Sequence, residues 1–172
     1  MPDPDELYRN AIESFGGPLR RLVSAYELDR DRQRDLEQEI HLALWRSFRQ
    51  YEARCSLRTW VYRVAHNTAA SWVVRQKRLR RERLSSLDEL TGVSDAGDHE
   101  RRAAEQLTLD RLFGLIRRLK PPDRQVMLLY LEGIDAASIG EITGVSEPNV
   151  RTKVRRLKRI LAERFHEGGR DD

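Results

Sequence analysis

Apolar residues recur every three or four positions along most of the chain, which is the spacing of one face of an α-helix. The clearest stripe consists of Leu36, Ile40, Leu44 and Phe48. No segment alternates convincingly between apolar and polar residues, as a half-buried strand would. The pattern therefore predicts an all-α protein.

Two interruptions divide this pattern. Residues 84–106 contain few large apolar side chains and several serines, glycines and acidic residues, a composition typical of a flexible linker. Residues 16–18, Gly-Gly-Pro, are expected to kink or break the first helix. We predict two small helical domains, at 1–83 and 107–166, joined by this flexible linker and followed by a polar tail at 167–172.

The C-terminal domain contains the pattern of a helix-turn-helix. A short helix with Ile139 and Ile142 on its apolar side is followed by Gly144, which can adopt a positive φ at a helix end. Ser146 is suited to begin the next helix as its N-cap. The inward stripe of that second helix consists of Val150, Val154, Leu157 and Leu161.

The opposite face of the second helix is polar and basic. Arg and Asn side chains can form paired hydrogen bonds with guanine and adenine edges in the major groove, whereas cations further along meet phosphates. A basic face alone is also common on ordinary solvated helices, so the prediction depends on the whole motif. The predicted contacts with duplex DNA are Ser146, Asn149, Arg151, Thr152, Arg155, Arg156, Lys158 and Arg159.

A third apolar stripe, beginning at Leu57, combines aromatic residues with cations. Trp60, Tyr62 and Trp72 precede a basic run at 75–81. Rings that stack on bases and cations that meet phosphates suit single-stranded or partly melted nucleic acid. Trp60 lies on the apolar stripe and is expected in the core, whereas Tyr62 and Trp72 fit either the core or the surface.

Composition narrows the classes of function. Cys55 is the single cysteine, which excludes an intramolecular disulfide and a Cys-rich zinc site. The chain contains no spaced metal motif, Gly-rich phosphate loop or nucleophile elbow. It also lacks a signal-peptide pattern and any apolar stretch long enough to cross a membrane. We therefore expect a cytoplasmic protein with no cofactor, no metal, no membrane insertion and no catalytic activity of its own.

Three segments together resemble a known family. Residues 35–45, DLEQEIHLALW, are similar to the signature of region 2 in bacterial sigma factors, with His41 in place of the usual aromatic residue. Residues 56–67, SLRTWVYRVAHN, are similar to the following helix of that region, and residues 119–126 with the helix-turn-helix resemble region 4. With these two regions alone, the chain resembles the extracytoplasmic-function (ECF) group.

That resemblance implies a role in transcription initiation. The helix at 35–45 would dock on the β′ clamp helices of core RNA polymerase, and the β flap would be a second contact. On the helix at 35–45, the residues Asp35, Gln38 and Glu39 are spaced to share one face. The implied polymerase-binding residues are Asp35, Leu36, Gln38, Glu39, Leu42 and Trp45.

The resemblance also implies two promoter contacts. The loop before Ser56 and the helix through Asn67 would capture the melted −10 element, and the helix after Ser146 would read the duplex −35 element. The implied −10 residues are Tyr51, Arg54, Ser56, Arg63 and Asn67, with Arg75, Lys77, Arg78, Arg80 and Arg81 on phosphates. Such proteins are often held inactive by an anti-sigma factor.

A stand-alone regulator remains the alternative interpretation. It would bind duplex DNA through the helix-turn-helix and use the first domain for dimerisation or ligand binding. Such a regulator needs neither the docking face at Asp35 to Glu39 nor an exposed Asn67 beside aromatic rings.

Overall fold

The computed structural model describes residues 3–84 and 102–167, so residues 85–101 of the predicted linker and 168–172 of the predicted tail lie outside the described residues. The last five residues predicted as linker, 102–106, belong to a helix. The described residues contain helices and no strand, which confirms the all-α prediction. The helices are α1 (Pro4–Tyr26), α2 (Arg30–Ser47), α3 (Leu57–Leu84), α4 (Arg102–Arg117), α5 (Pro121–Leu131), α6 (Ala136–Thr143) and α7 (Glu147–Glu167), with one 3-10 turn at Phe48–Gln50.

Short polar side chains begin several of these helices. The Asp29 carboxylate accepts hydrogen bonds from the backbone N–H groups of Asp31 and Arg32, both at 3.0 Å, at the start of α2. Asp135 accepts from the Ser138 N–H at 2.9 Å at the start of α6. These contacts satisfy amides that have no partner within the helix.

The first helix does not end at its Gly-Gly-Pro segment. α1 continues through Pro18 to Tyr26, so of the predicted kink or break, the break is wrong. Leu19, Leu22 and Val23 directly after the proline are buried against α2 and α3. Tertiary packing of this face outweighs the local preference for a break, because propensity alone is a weak determinant.

The N-terminal unit consists of α1, α2 and α3. Leu36, Ile40 and Leu44 of α2 pack between the other two helices with at most 1% of each residue exposed. Trp72 is buried, and its indole Nε1–H donates to Glu27 Oε2 at 3.2 Å. Trp60 is half-buried, and its indole N–H donates to Ser47 Oγ at 2.9 Å. The one hydrogen-bond donor of this side chain is therefore paired inside the unit.

The helix-turn-helix lies in the C-terminal unit, as predicted. α6 ends at Thr143 and is capped by Gly144, whose φ of 75° is in the left-handed region. α7 begins at Glu147, directly after Ser146. A side chain at Gly140 would place a Cβ 2.8 Å from the carbonyl oxygen of Val145, so this position also requires glycine. Ile139, Ile142 and the α7 residues Val150, Leu157 and Leu161 are buried.

The two units contact each other directly. α1 packs against α4, and α3 packs against α6. Ile116 and Leu128 of the C-terminal unit belong to the same apolar cluster as Leu36 and Ile40. The apolar core is therefore continuous from one unit into the other.

Candidate nucleic-acid interface

The outer face of α7 presents the predicted duplex-reading residues together. Because the buried positions Val150, Leu157 and Leu161 follow the helical period, the positions between them point to solvent. The eight exposed residues on and just before this face are Ser146, Asn149, Arg151, Thr152, Arg155, Arg156, Lys158 and Arg159.

Carboxylates already hold part of this face in position. Arg151 Nε donates to Glu147 Oε1 at 3.1 Å, and Arg156 donates to Asp123 Oδ2 at 2.9 Å. Lys158 lies over the Tyr130 ring, 5.4 Å from its centre. Exposed ion pairs contribute little stability, so these cations can exchange their partners for phosphates or base edges at small cost. Arg155 has no carboxylate partner among the residues with described side chains.

The loop at 51–56 and the start of α3 form a cleft of about 720 Å³. Arg54 lines this cleft and is exposed, and Asn67 is exposed four residues after Arg63 on α3. Ser56 Oγ accepts from the Thr59 N–H at 3.1 Å and so caps α3. Arg63 is half-buried, and its guanidinium donates to the carbonyl oxygen of Glu141 at 2.6 Å. The lining residues are Gln50, Tyr51, Glu52, Arg54, Cys55, Trp60, Arg63 and Glu141.

Tyr51 differs from the other predicted residues of this cleft. It is 8% exposed, its ring packs against Phe48 and Trp60, and its hydroxyl donates to the carbonyl oxygen of Cys55 at 2.7 Å. Burial raises the pKa of this hydroxyl. Tyr51 therefore lines the cleft, and its hydroxyl bond to Cys55 holds the loop in place. Its ring is packed against other rings and is not free to stack on a base.

The same loop contains a strained residue. Ala53 has a φ of 54°, in the left-handed region where a Cβ approaches the neighbouring carbonyl oxygen. Among the described residues it is the single non-glycine residue with a positive φ. The loop therefore adopts a turn for which glycine is better suited.

The predicted docking residues on α2 divide into an exposed and a buried group. Asp35, Gln38, Leu42 and Trp45 are exposed. Leu36, in contrast, has 0% exposure and lies in the core. A surface role for Leu36 is thus contradicted: its side chain anchors α2 so that the neighbouring polar residues face outward.

Two contacts from α1 fix this surface of α2. The Tyr8 hydroxyl and His41 Nδ1 are hydrogen-bonded at 2.7 Å, and the two rings meet edge to face. Trp45 donates its indole N–H to Asp5 Oδ1 at 2.9 Å. His41, which replaces the usual aromatic residue, therefore has a specific partner in Tyr8.

The basic end of α3 is exposed. Arg75, Lys77 and Arg78 face solvent, and Arg78 pairs with Glu82 at 2.9 Å. Arg75 forms two hydrogen bonds with Glu39, at 2.6 and 2.9 Å. This ion pair joins Arg75, which is predicted to bind DNA phosphates, to Glu39, which is predicted to bind polymerase.

Two family models of known proteins match this chain. The Sigma-70 region 2 family matches residues 11–79, and the Sigma-70, region 4 family matches residues 109–161. The ECF RNA polymerase sigma factor SigX of Bacillus subtilis is 21% identical over 162 residues, which cover 91% of this chain and 82% of SigX. The ECF RNA polymerase sigma-E factor of Haemophilus influenzae is 25% identical over 168 residues, covering 92% and 83% of the two chains.

The chain belongs to the ECF-type sigma factors. The sigma factor is therefore a transcription initiation factor, of a family that binds core RNA polymerase and promoter DNA.

Two solved structures share the fold of this sigma factor. One is RpoE of Bartonella quintana, solved with the anti-sigma factor NepR, with a TM-score of 0.68, 16% identity and coverage of 91% of this chain and 94% of that one. The other is CnrH, solved with the cytosolic domain of CnrY, with a TM-score of 0.65, 17% identity and coverage of 93% and 88%. No helix in the described part of the sigma factor has both the length and the apolar character needed to span a membrane.

The sequence left Tyr62 open between core and surface and did not indicate that His66 of the sigma factor is buried. Tyr62 and His66 of α3 are buried, and the His66 ring is hydrogen-bonded to the Tyr26 hydroxyl at 3.2 Å. Complete burial lowers the pKa of His66 to about 3, so this ring is neutral at physiological pH. The partners of these residues are remote in sequence, and apart from the family motif around Asn67 no local pattern indicated them.

Proposed function

We propose that this sigma factor binds core RNA polymerase through α2, reads the −35 element with α7 and captures the melted −10 element at the cleft before α3. The observation that carries the proposal is the coexistence of three exposed polar faces in one chain. A stand-alone regulator requires the α7 face alone.

The polymerase contact follows from the α2 surface. This surface presents an exposed carboxylate, an amide and two apolar side chains, which belong to Asp35, Gln38, Leu42 and Trp45. Leu36 anchors the helix in the core. A mixed face of this kind suits a basic, partly apolar partner helix, and the β′ clamp helices are the proposed one. The β flap is the proposed contact of the C-terminal unit.

The two promoter contacts differ in the form of DNA that they suit. The α7 face is a single exposed helix of the size that fits a major groove. The cleft lined by Arg54 and Arg63 is concave. In this proposal the exposed amide of Asn67, four residues after Arg63 on α3, meets a base edge, and cations further along α3 meet phosphates. In this proposal the domains at 1–83 and 107–166 act on the −10 and −35 elements respectively, and the chemistry of RNA synthesis belongs to polymerase in the cytoplasm.

We also propose that an anti-sigma factor controls this chain. Both structural relatives were solved with a further protein, named an anti-sigma factor in the RpoE complex.

Transcription in vitro tests the main proposal. Core polymerase with and without the protein is supplied with fragmented genomic DNA, and the transcripts are sequenced. We expect protein-dependent start sites that share upstream −35 and −10 motifs. Tight binding to duplex DNA with no protein-dependent transcript would instead identify a stand-alone regulator.

Charge reversal tests the docking face. Asp35→Arg should abolish co-purification with core polymerase while the far-ultraviolet circular dichroism stays unchanged. The matched control is Glu163→Arg, which reverses an exposed carboxylate on α7. Equal retention of polymerase by both variants would contradict docking through α2.

A further inference from the structure

Trp45 presents part of its ring to solvent on the surface of α2. It is 36% exposed, and Leu42, one turn earlier on the same helix, is 45% exposed. Both side chains therefore leave apolar area outside the core of the N-terminal unit. Tryptophan is among the residue types most enriched in the side chains that dominate the energy of protein interfaces. An exposed indole next to an exposed leucine is thus suited to be covered by a partner.

The polar atom of this indole is already paired. Trp45 donates its indole N–H to Asp5 Oδ1 of α1 at 2.9 Å. A hydrogen bond to a carboxylate is stronger than one between neutral groups, so it fixes the ring firmly. An indole has one donor and no acceptor. A partner that covers the ring therefore meets its apolar surface and leaves no indole N–H unpaired.

A guanidinium holds the same ring from its face. The Arg49 Cζ lies 4.8 Å from the centre of the Trp45 ring, within the range of a cation–π contact. The ring is thus held at its edge by Asp5 and on one face by Arg49. Because a side chain that is ordered before binding loses less conformational entropy on association, this arrangement favours binding of a partner at Trp45.

A second bond aligns α1 with α2 one turn away. The Tyr8 hydroxyl and His41 Nδ1 are hydrogen-bonded at 2.7 Å. Tyr8 follows Asp5 by three residues, and His41 precedes Trp45 by four, so the two contacts are successive steps along a pair of antiparallel helices. Asp5 also lies in the first turn of α1, where the helix dipole favours an acid. The start of α1 therefore places the Asp5 carboxylate in a defined position beside α2.

We propose that α1 is part of the polymerase-docking surface, and that Asp5 is a positioning residue which holds Trp45 ready for the partner helix. The inference rests on the proposed function of α2 and adds a second helix to it. In this arrangement Asp5 acts through the indole N–H of Trp45 and needs no contact of its own with polymerase.

A double-mutant cycle tests whether Asp5 acts through Trp45. Each full-length variant is titrated onto immobilised core polymerase. Asp5→Ala should raise the apparent Kd about fivefold, because the indole must then be ordered on binding. Asp5→Asn should recover most of this loss, since an amide oxygen still accepts the indole N–H. In a Trp45→Phe background, which keeps a ring without the N–H, Asp5→Ala should cause no further loss. An equal loss in both backgrounds would overturn the inference.

Glu6→Ala is the matched control. Glu6 is the other acid in the first turn of α1 and is exposed, so its replacement removes a charge from the same helix end and leaves the Asp5–Trp45 bond in place. We expect Glu6→Ala to bind core polymerase as the wild type does. A loss as large as that of Asp5→Ala would assign the effect to the charge of the helix end and would contradict positioning through Trp45.

Nuclear magnetic resonance of the free protein reports on the bond directly. The chain contains three tryptophans, each with one indole N–H signal in a proton–nitrogen correlation spectrum, and the Trp45 signal is the one that is missing in Trp45→Phe. Asp5→Ala should shift this signal and leave those of Trp60 and Trp72 in place, which also shows that the fold is intact. A Trp45 signal that does not move would refute the bond in solution and with it the inference.

Two variants of α2 separate this inference from the proposed function. Trp45→Ala should weaken binding to core polymerase about thirtyfold or more, and Asp35→Arg should abolish it. If both variants bind as the wild type does, docking through α2 is wrong and the inference fails with it. If both lose binding while Asp5→Ala binds normally, the role of Asp5 is wrong and the proposed function stands.

Discussion

Glu27 connects the end of α1, the start of α2 and the middle of α3, and its replacement should weaken all three. Its Oε1 accepts the backbone N–H groups of Leu28 and Asp29 at 2.9 and 3.1 Å, and its Oε2 accepts the indole N–H of Trp72. The residue is 8% exposed. Glu27→Ala removes all three bonds and leaves a buried indole N–H without a partner.

The expected loss follows from these contacts. Three hydrogen bonds at about 1 kcal/mol each give a decrease of about 3 kcal/mol in the free energy of unfolding. Glu27→Gln should lose less, about 1–2 kcal/mol, because an amide can accept on one side but presents a donor to the other. For a domain with a total stability of about 5–15 kcal/mol, the alanine variant removes a large share.

Urea unfolding measures this loss. Circular dichroism and tryptophan fluorescence should give coincident transitions, from which the free energy is extrapolated at a common slope. Glu13→Ala, an exposed change on α1, is the control and should shift the midpoint little. A loss below about 0.5 kcal/mol for Glu27→Ala, within the usual range of surface substitutions, would refute the reasoning.

Three further predictions concern the DNA-reading faces and the core. Arg151→Ala should weaken −35 binding by about 1–3 kcal/mol and relax base preference at one position, measured by titration of a duplex library; uniform weakening across sequences would make Arg151 a phosphate ligand. Since the pKa of His66 is about 3 when folded and near 6.5 when unfolded, stability should be constant above pH 6.5 and fall by up to about 1.4 kcal/mol per pH unit below it; His66→Gln should flatten this dependence in urea titrations. Ala53→Gly should raise the unfolding free energy by up to about 1 kcal/mol through relief of the left-handed strain, and a lower midpoint would show that loop entropy dominates.

The helix-turn-helix was predictable because its determinants act within a few residues. Asp135 caps the start of α6 by accepting a hydrogen bond from the N–H of Ser138, three residues later. Gly144 ends the same helix through its left-handed conformation. The burial of Leu36 was also predictable from the sequence, since this residue begins the apolar stripe on α2. The family signature favoured a polymerase contact at the same residue, and packing decided between the two interpretations.

The connection between the units was not predictable from local patterns. Tyr62 packs against residues such as Ile139 that lie far along the chain, and an aromatic residue on α3 suits a base or a core equally well. The pairing of Arg75 with Glu39 likewise depends on how α2 and α3 pack. Such contacts depend on tertiary structure, which the recurrence of apolar residues every three or four positions does not encode.

The Arg75–Glu39 pair has a thermodynamic consequence. In the proposed function, a cation of a bound polymerase that takes Glu39 would release Arg75 for a DNA phosphate, and a phosphate that takes Arg75 would release Glu39 for polymerase. Each binding event then lowers the cost of the other by the same free energy, as linkage requires. The two ligands of this sigma factor would therefore bind cooperatively through a single shared ion pair.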